Sequence, residues 1–181
     1  QDGLGLANLY GGRDQLADKL DTIFTTDGGY IGYGGMDGVG GIHEQREARE
    51  VKLGQYGHSN QPSHHIPYMY LYSSRPWETQ KYVRDILARC YAGSTFGQGY
   101  IGDEDNGEMS AWYVLSSIGF YPLSMGNDEF AIGSPQFEEV TVNLEGNKKL
   151  VIKANNNSKK NVYVDSMYVN GEKYDKTFIK Y

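Results

Sequence analysis

Apolar residues fall at helical spacing over the first two-thirds of the chain and alternate with polar ones near its end. In residues 13–24, Leu16, Leu20, Ile23 and Phe24 recur three and four positions apart, which predicts an amphipathic helix with one buried face. Pro76 opens a further helix whose core stripe is Val83, Ile86, Leu87, Cys90 and Tyr91. Another, over residues 108–118, buries Met109, Trp112, Leu115 and Ile118. The charged run 43–50 extends or opens a short helix. Residues 60–72 start as a helix would, with Asn60 as cap and Pro62 in the first turn, and Pro67 then forces a bend or an early end. The glycine-rich stretches 25–41 and 93–107 read as loops.

After Pro122 the pattern changes to strands, over residues 129–133, 138–144, 149–154 and 162–169. Val140/Val142/Leu144, Leu150/Ile152 and Val162/Val164 alternate. Glu145-Gly146-Asn147 and Asn170-Gly171 are turn sequences of the hairpin type. The expected fold is mainly α with a β tail. The change near 122–128 marks a boundary between helical and strand layers rather than between independent domains.

Composition narrows the function classes. At 181 residues, with 39% hydrophobic and 22% charged, the chain can bury a sizeable core. A net charge of −6 argues against nucleic acid as the main partner. No apolar run approaches the roughly 18–20 residues that span a bilayer. Cys90 is the lone cysteine, so no internal disulfide forms. The chain starts at Gln1 without a basic-plus-apolar leader, so any targeting signal is expected to have been removed or to lie upstream. The 16 Tyr, 6 Phe and 2 Trp suit both a core and a sugar-facing cleft.

Three segments carry candidate chemistry. The first is Gly102-Asp103-Glu104-Asp105-Asn106-Gly107. In an extended loop Asp103 and Asp105 point to one side and Glu104 to the other, so two repelling carboxylates would yield a base poised near neutral pH. A solvated acidic turn capping the next helix explains the same residues. An EF-hand does not, because the fifth and twelfth positions from Asp103 are Gly107 and Val114. The second segment is His58-Ser59-Asn60-Gln61-Pro62-Ser63-His64-His65. Adjacent helical positions diverge by about 100°, so His64 and His65 cannot easily share an ion. Asn60, Gln61 and backbone carbonyls suit a hard cation such as calcium better than zinc; a capped helix with one core histidine is the simpler alternative. The third, His43-Glu44-Gln45-Arg46-Glu47, lacks the second histidine of a zincin and reads as a charged helix face. No phosphate-binding glycine loop and no serine nucleophile elbow occur.

Longer segments resemble glycoside hydrolase family 92, the calcium-dependent exo-α-mannosidases. They are Gly5-Leu6-Ala7-Asn8-Leu9-Tyr10-Gly11-Gly12, the stretch from Gly54 to Tyr68, Arg75-Pro76-Trp77-Glu78-Thr79-Gln80, the stretch from Gly102 to Tyr113, Gly119-Phe120-Tyr121-Pro122, and Ile132-Gly133-Ser134-Pro135. The resemblance implies that residues 1–125 are the C-terminal part of an (α/α)6 toroid catalytic domain and that 126–181 form an antiparallel β-rich region. It implies hydrolysis of terminal α-linked mannose with inversion, Asp105 acting as general base with Asp103 as its partner. It also implies a Ca2+ ion near Asn60 and Gln61, and sugar contacts from Gln61, His64, His65 and Trp112. Glutamate is common in the family where Gln61 stands. The family's general acid has no counterpart here and is expected upstream, in an N-terminal part of the same protein, and an extracytoplasmic location is expected from the family's habit. A non-catalytic glycan-binding or scaffold module is the rival expectation.

Overall fold

The structure, a computed structural model, describes residues 2–27, 43–91, 93 and 97–180, with Gln45 and Arg46 described by backbone alone. Helix α1 (Gly3–Leu9) begins where Asp2 accepts a hydrogen bond from the Gly5 amide at 2.8 Å. The apolar pattern did not announce it. Helix α2 (Arg13–Thr25) buries Leu16, Ala17, Leu20 and Phe24 on one face, as its spacing predicts. Helix α3 spans His43–Val51. The predicted 25–41 loop lies mostly outside the described residues.

The Asn60 segment is not an α-helix. It forms two 3-10 stretches, Gln61–Ser63 and Ile66–Tyr72, each with proline in its opening turn, and the Asn60 side chain makes no cap hydrogen bond. Proline lacks the amide that a longer α-helical ladder would need at Pro62 and Pro67. The second stretch is the centre of the core: Pro67, Tyr68, Met69, Tyr70 and Leu71 are all buried between neighbouring helices. Helix α4 (Trp77–Cys90) packs Tyr82, Val83, Ile86, Leu87 and Cys90 against it, and Thr79 donates to the Pro67 carbonyl at 2.9 Å. Phe24 stacks on Tyr82 with ring centres 3.9 Å apart. Tyr70 donates to Asp21 at 2.7 Å, and Arg75 bridges Asp18 and Asp21 at 2.5 Å each. These contacts fix α2, the 3-10 segment and the start of α4 as one unit.

Helix α5 (Glu108–Ile118) ends at Gly119, whose φ of 105° is a conformation that favours glycine. Strands β1 (Phe120–Tyr121), β2 (Glu129–Ile132) and β7 (Phe178–Lys180) form one antiparallel sheet in the order β1-β2-β7. Strands β3 (Glu139–Asn143) and β4 (Lys149–Lys153) pair as a hairpin through a turn at Glu145–Asn147, and β5 (Tyr168–Val169) pairs with β6 (Glu172–Lys173). The strand predicted over 162–169 forms only at its last two residues, and Val162 instead offers its carbonyl to the Ser134 hydroxyl at 2.6 Å. Arg84 of α4 donates to the Pro135 carbonyl (2.6 Å), the Asn157 side chain (2.7 Å) and the Ser158 carbonyl (3.0 Å), tying the helical part to the β region.

Candidate functional site

The turn from Gly57 to His65 and the acidic turn from Gly102 to Gly107 lie against each other. Gly102 approaches so closely that a Cβ there would stand 2.5 Å from the Ser59 Cβ. Gln61 donates from its side chain to the Asp103 carbonyl at 2.8 Å, and Gln98 donates to the Gly102 carbonyl. Two of the three segments singled out in the sequence are therefore neighbours. The third joins them: His43, at the start of α3, brings Nε2 within 3.8 Å of Asp103 and 3.5 Å of Glu44. Reading 43–47 as a charged helix face did not anticipate that contact.

The acidic turn is not the extended strand that the alternation argument assumed. Asp105, Asn106 and Gly107 have φ of 48°, 57° and 93°, so three consecutive residues are left-handed. Asparagine and aspartate tolerate that region better than other residues with a Cβ. The Glu104 carboxylate accepts from the Ser110 amide (3.1 Å) and the Ser110 hydroxyl (2.9 Å). Hydrogen bonds from Tyr100 first, and then from Ser110, hold that carboxyl below its ordinary pKa. Asp103 is 80% exposed, and Asp105 is exposed as well.

Beneath the paired turns is an aromatic floor. His58 is fully buried, with Tyr56 Oη 2.8 Å from Nδ1 and Tyr91 Oη 2.7 Å from Nε2. Tyr91 gives its single proton to Met109, whose carbonyl lies at 3.1 Å and whose sulfur lies at 3.0 Å. His58 is thus held at both ring nitrogens, between Tyr56 and Tyr91. Burial first, and then the neighbouring His64, push the His58 pKa well below its usual value. His64 stacks on His58 at 4.5 Å and donates from Nε2 to the His58 carbonyl at 3.0 Å. Burial lowers its pKa to about 4. Its Nδ1 is buried without a hydrogen-bond partner, 3.8 Å from Glu108. Trp112 stacks parallel to Tyr91 and donates to the His64 carbonyl at 3.2 Å.

The residues predicted to contact sugar thus divide in two. Trp112 and His64 are enclosed and form the support of the site, whereas His65 is half-buried and Asn60 is exposed. Gln61 is buried and spends its amide nitrogen on the acidic turn. Sequence reasoning missed the Tyr56–His58–Tyr91–Met109 chain, in which His58 and Tyr91 are 33 residues apart and leave no local spacing signal. Among the described residues no cluster of three or more His, Cys, Asp or Glu could hold a metal ion. Asn60 and Gln61 offer neutral amide oxygens, and Ser59 has a buried hydroxyl without a hydrogen-bond partner close by. Such a donor set fits a hard cation, which takes roughly six to eight oxygens and so would draw the rest from water, ligand hydroxyls or other parts of the protein.

The chain belongs to glycosyl hydrolase family 92, whose catalytic-domain model matches residues 1–181. A family GH92 α-mannosidase from Bacteroides thetaiotaomicron is 37% identical, with a TM-score of 0.82 over 100% of this chain and 22% of its own length. A family GH92 inverting mannosidase from the same organism is 38% identical, with a TM-score of 0.77 over 99% of this chain and 24% of its own. An uncharacterized secreted glycosidase of Arthroderma benhamiae is 26% identical over 96% of this chain and 19% of that protein. The chain therefore spans about a fifth to a quarter of the length of these relatives. No helix among the described residues is long and apolar enough to cross a membrane.

Proposed function

We propose that the protein containing this chain is an inverting, exo-acting α-mannosidase that removes terminal α-linked mannose from glycans. In this reading residues 1–125 complete an (α/α)6 toroid, residues 126–181 form the β region behind it, and the chain supplies the general-base side of the site. The observation that carries the reading is the Gln61–Asp103 hydrogen bond, which seats the acidic turn on the turn that would face the sugar.

Inversion requires a carboxylate that activates water on the face opposite the leaving oxygen, about 6.5–9.5 Å from a carboxylic acid that protonates the leaving group. Asp105 takes the water proton, and Asp103 beside it keeps the local field negative. The acid comes from a part of the protein outside this chain. Asn60 and Gln61 would hold Ca2+, and that ion, when bound, would supply a template and Lewis acid for sugar hydroxyls. Gln61 and His65 would line the sugar side, with His64 and Trp112 holding them from beneath. The matches to bacterial α-mannosidases and to a secreted glycosidase support this substrate class and an extracytoplasmic location. The rival glycan-binding module has no observation of its own.

Two measurements on the whole protein test the reading. Proton NMR of early hydrolysis of an α-mannoside should show β-mannose first; α-mannose first would rule out inversion. Chelation should abolish turnover and Ca2+ should restore it, and indifference to chelation removes the metal role.

A further inference from the structure

Within Asp103-Glu104-Asp105, the structure treats the middle acid differently from its neighbours. Both Glu104 carboxylate oxygens are engaged by Ser110, one from the amide at 3.1 Å and one from the hydroxyl at 2.9 Å. The Glu104 carbonyl also accepts the Met109 amide at 3.2 Å, and the Asp105 carbonyl accepts the Glu108 amide at 3.2 Å. The left-handed backbone at Asp105 and Asn106 lies outside the preferred regions of residues that bear a Cβ. The Glu104 side chain that precedes this backbone is anchored on Ser110, in the first turn of α5, and by a hydrogen bond with Tyr100. We propose that Glu104 is a positioning residue whose grip on Ser110 sets the direction of the Asp105 carboxylate. This rests on the reading of Asp105 as general base. No proton moves through Glu104; its role is geometric.

The test uses the whole protein with an α-mannoside substrate, measuring kcat, KM and the thermal midpoint. Misplacement of a catalytic group by about 1 Å can cost 100-fold, so Glu104→Ala should lower kcat by about that factor and leave KM nearly unchanged. Glu104→Gln keeps one acceptor for the Ser110 amide and should recover part of the loss. Ser110→Ala changes an exposed side chain and should lower kcat by about 10-fold, since the backbone amide at 110 and Tyr100 still hold Glu104. A lowered thermal midpoint with kcat unchanged in Glu104→Ala and Ser110→Ala would reduce Glu104 to an ordinary helix cap and overturn the proposal. Near-normal turnover in Asp105→Ala would overturn the base assignment and this proposal with it. Loss of turnover in Asp105→Ala, beside normal turnover in Glu104→Ala and Ser110→Ala, would overturn the positioning role alone.

Discussion

Replacing Gly102 with alanine probes the seam between the two turns more directly than any change to an acid. The residue has φ of 76°, and an added Cβ would meet the Ser59 Cβ at 2.5 Å, its Cα at 3.0 Å and its carbonyl oxygen at 3.3 Å. The left-handed backbone alone costs a residue with a Cβ about 1–2 kcal/mol. The contact cannot be relieved by rotating a side chain, because Ser59 presents its Cβ and main chain. Restoring ordinary carbon–carbon separation needs roughly 1 Å of movement between the turns. That movement stretches the Gln61–Asp103 hydrogen bond, now 2.8 Å, past its useful range, with a further loss of about 1 kcal/mol. Gly102→Ala should therefore lower unfolding free energy by about 2–4 kcal/mol and turnover by about 100-fold. Urea unfolding and steady-state kinetics on the whole protein check both. A change below about 0.5 kcal/mol, with kcat intact, refutes the claim that close packing at this seam shapes the site.

Further outcomes follow from the buried floor. Tyr91→Phe leaves one ring nitrogen of His58 without a partner whichever tautomer forms, and should cost about 1–3 kcal/mol by denaturant unfolding. The His58 and His64 pKa values are depressed by folding, so both rings stay neutral in the native protein and bind protons when it unfolds. The His64 contribution to stability is complete above pH 6.5 and falls as pH drops toward 4, by up to about 1.4 kcal/mol per pH unit, and His58 acts in the same direction. Thermal midpoints across that window, compared between wild type and His64→Asn, should show a flatter acid decline in the variant. Arg84→Ala leaves the Pro135 and Ser158 carbonyls without their guanidinium donor and should lower the thermal midpoint without changing KM.

Helices whose apolar stripe faces a core were legible because burial imposes a period that the sequence must write out. Leu16, Leu20 and Phe24 did so, as did Val83, Ile86 and Leu87. Helix α1 was not legible, since Leu4, Leu6 and Leu9 make no sustained stripe and the helix has only 7 residues beyond its Asp2 cap. The strand predicted over 162–169 forms only at its last two residues because alternation of Val162 and Val164 was read without a partner strand, and the chain there hydrogen-bonds to Ser134 and Gln80 instead. The acidic turn was legible as chemistry but not as shape. Its composition showed three acids between glycines; the left-handed backbone at Asp105 and the seating of Gly102 against Ser59 and of Asp103 against Gln61, 42 residues away, leave no pattern in the sequence. The floor of Tyr56, His58, Tyr91 and Trp112 is assembled from three separate segments, so no window of sequence contains it.

The base assignment is tested most directly by the kinetics of the whole protein carrying Asp105→Ala, with and without azide as a small external nucleophile. Loss of a general base predicts a fall in kcat of about 100- to 10,000-fold, with azide restoring turnover as β-mannosyl azide. Turnover close to that of the unaltered protein, with free mannose as the product, would contradict it.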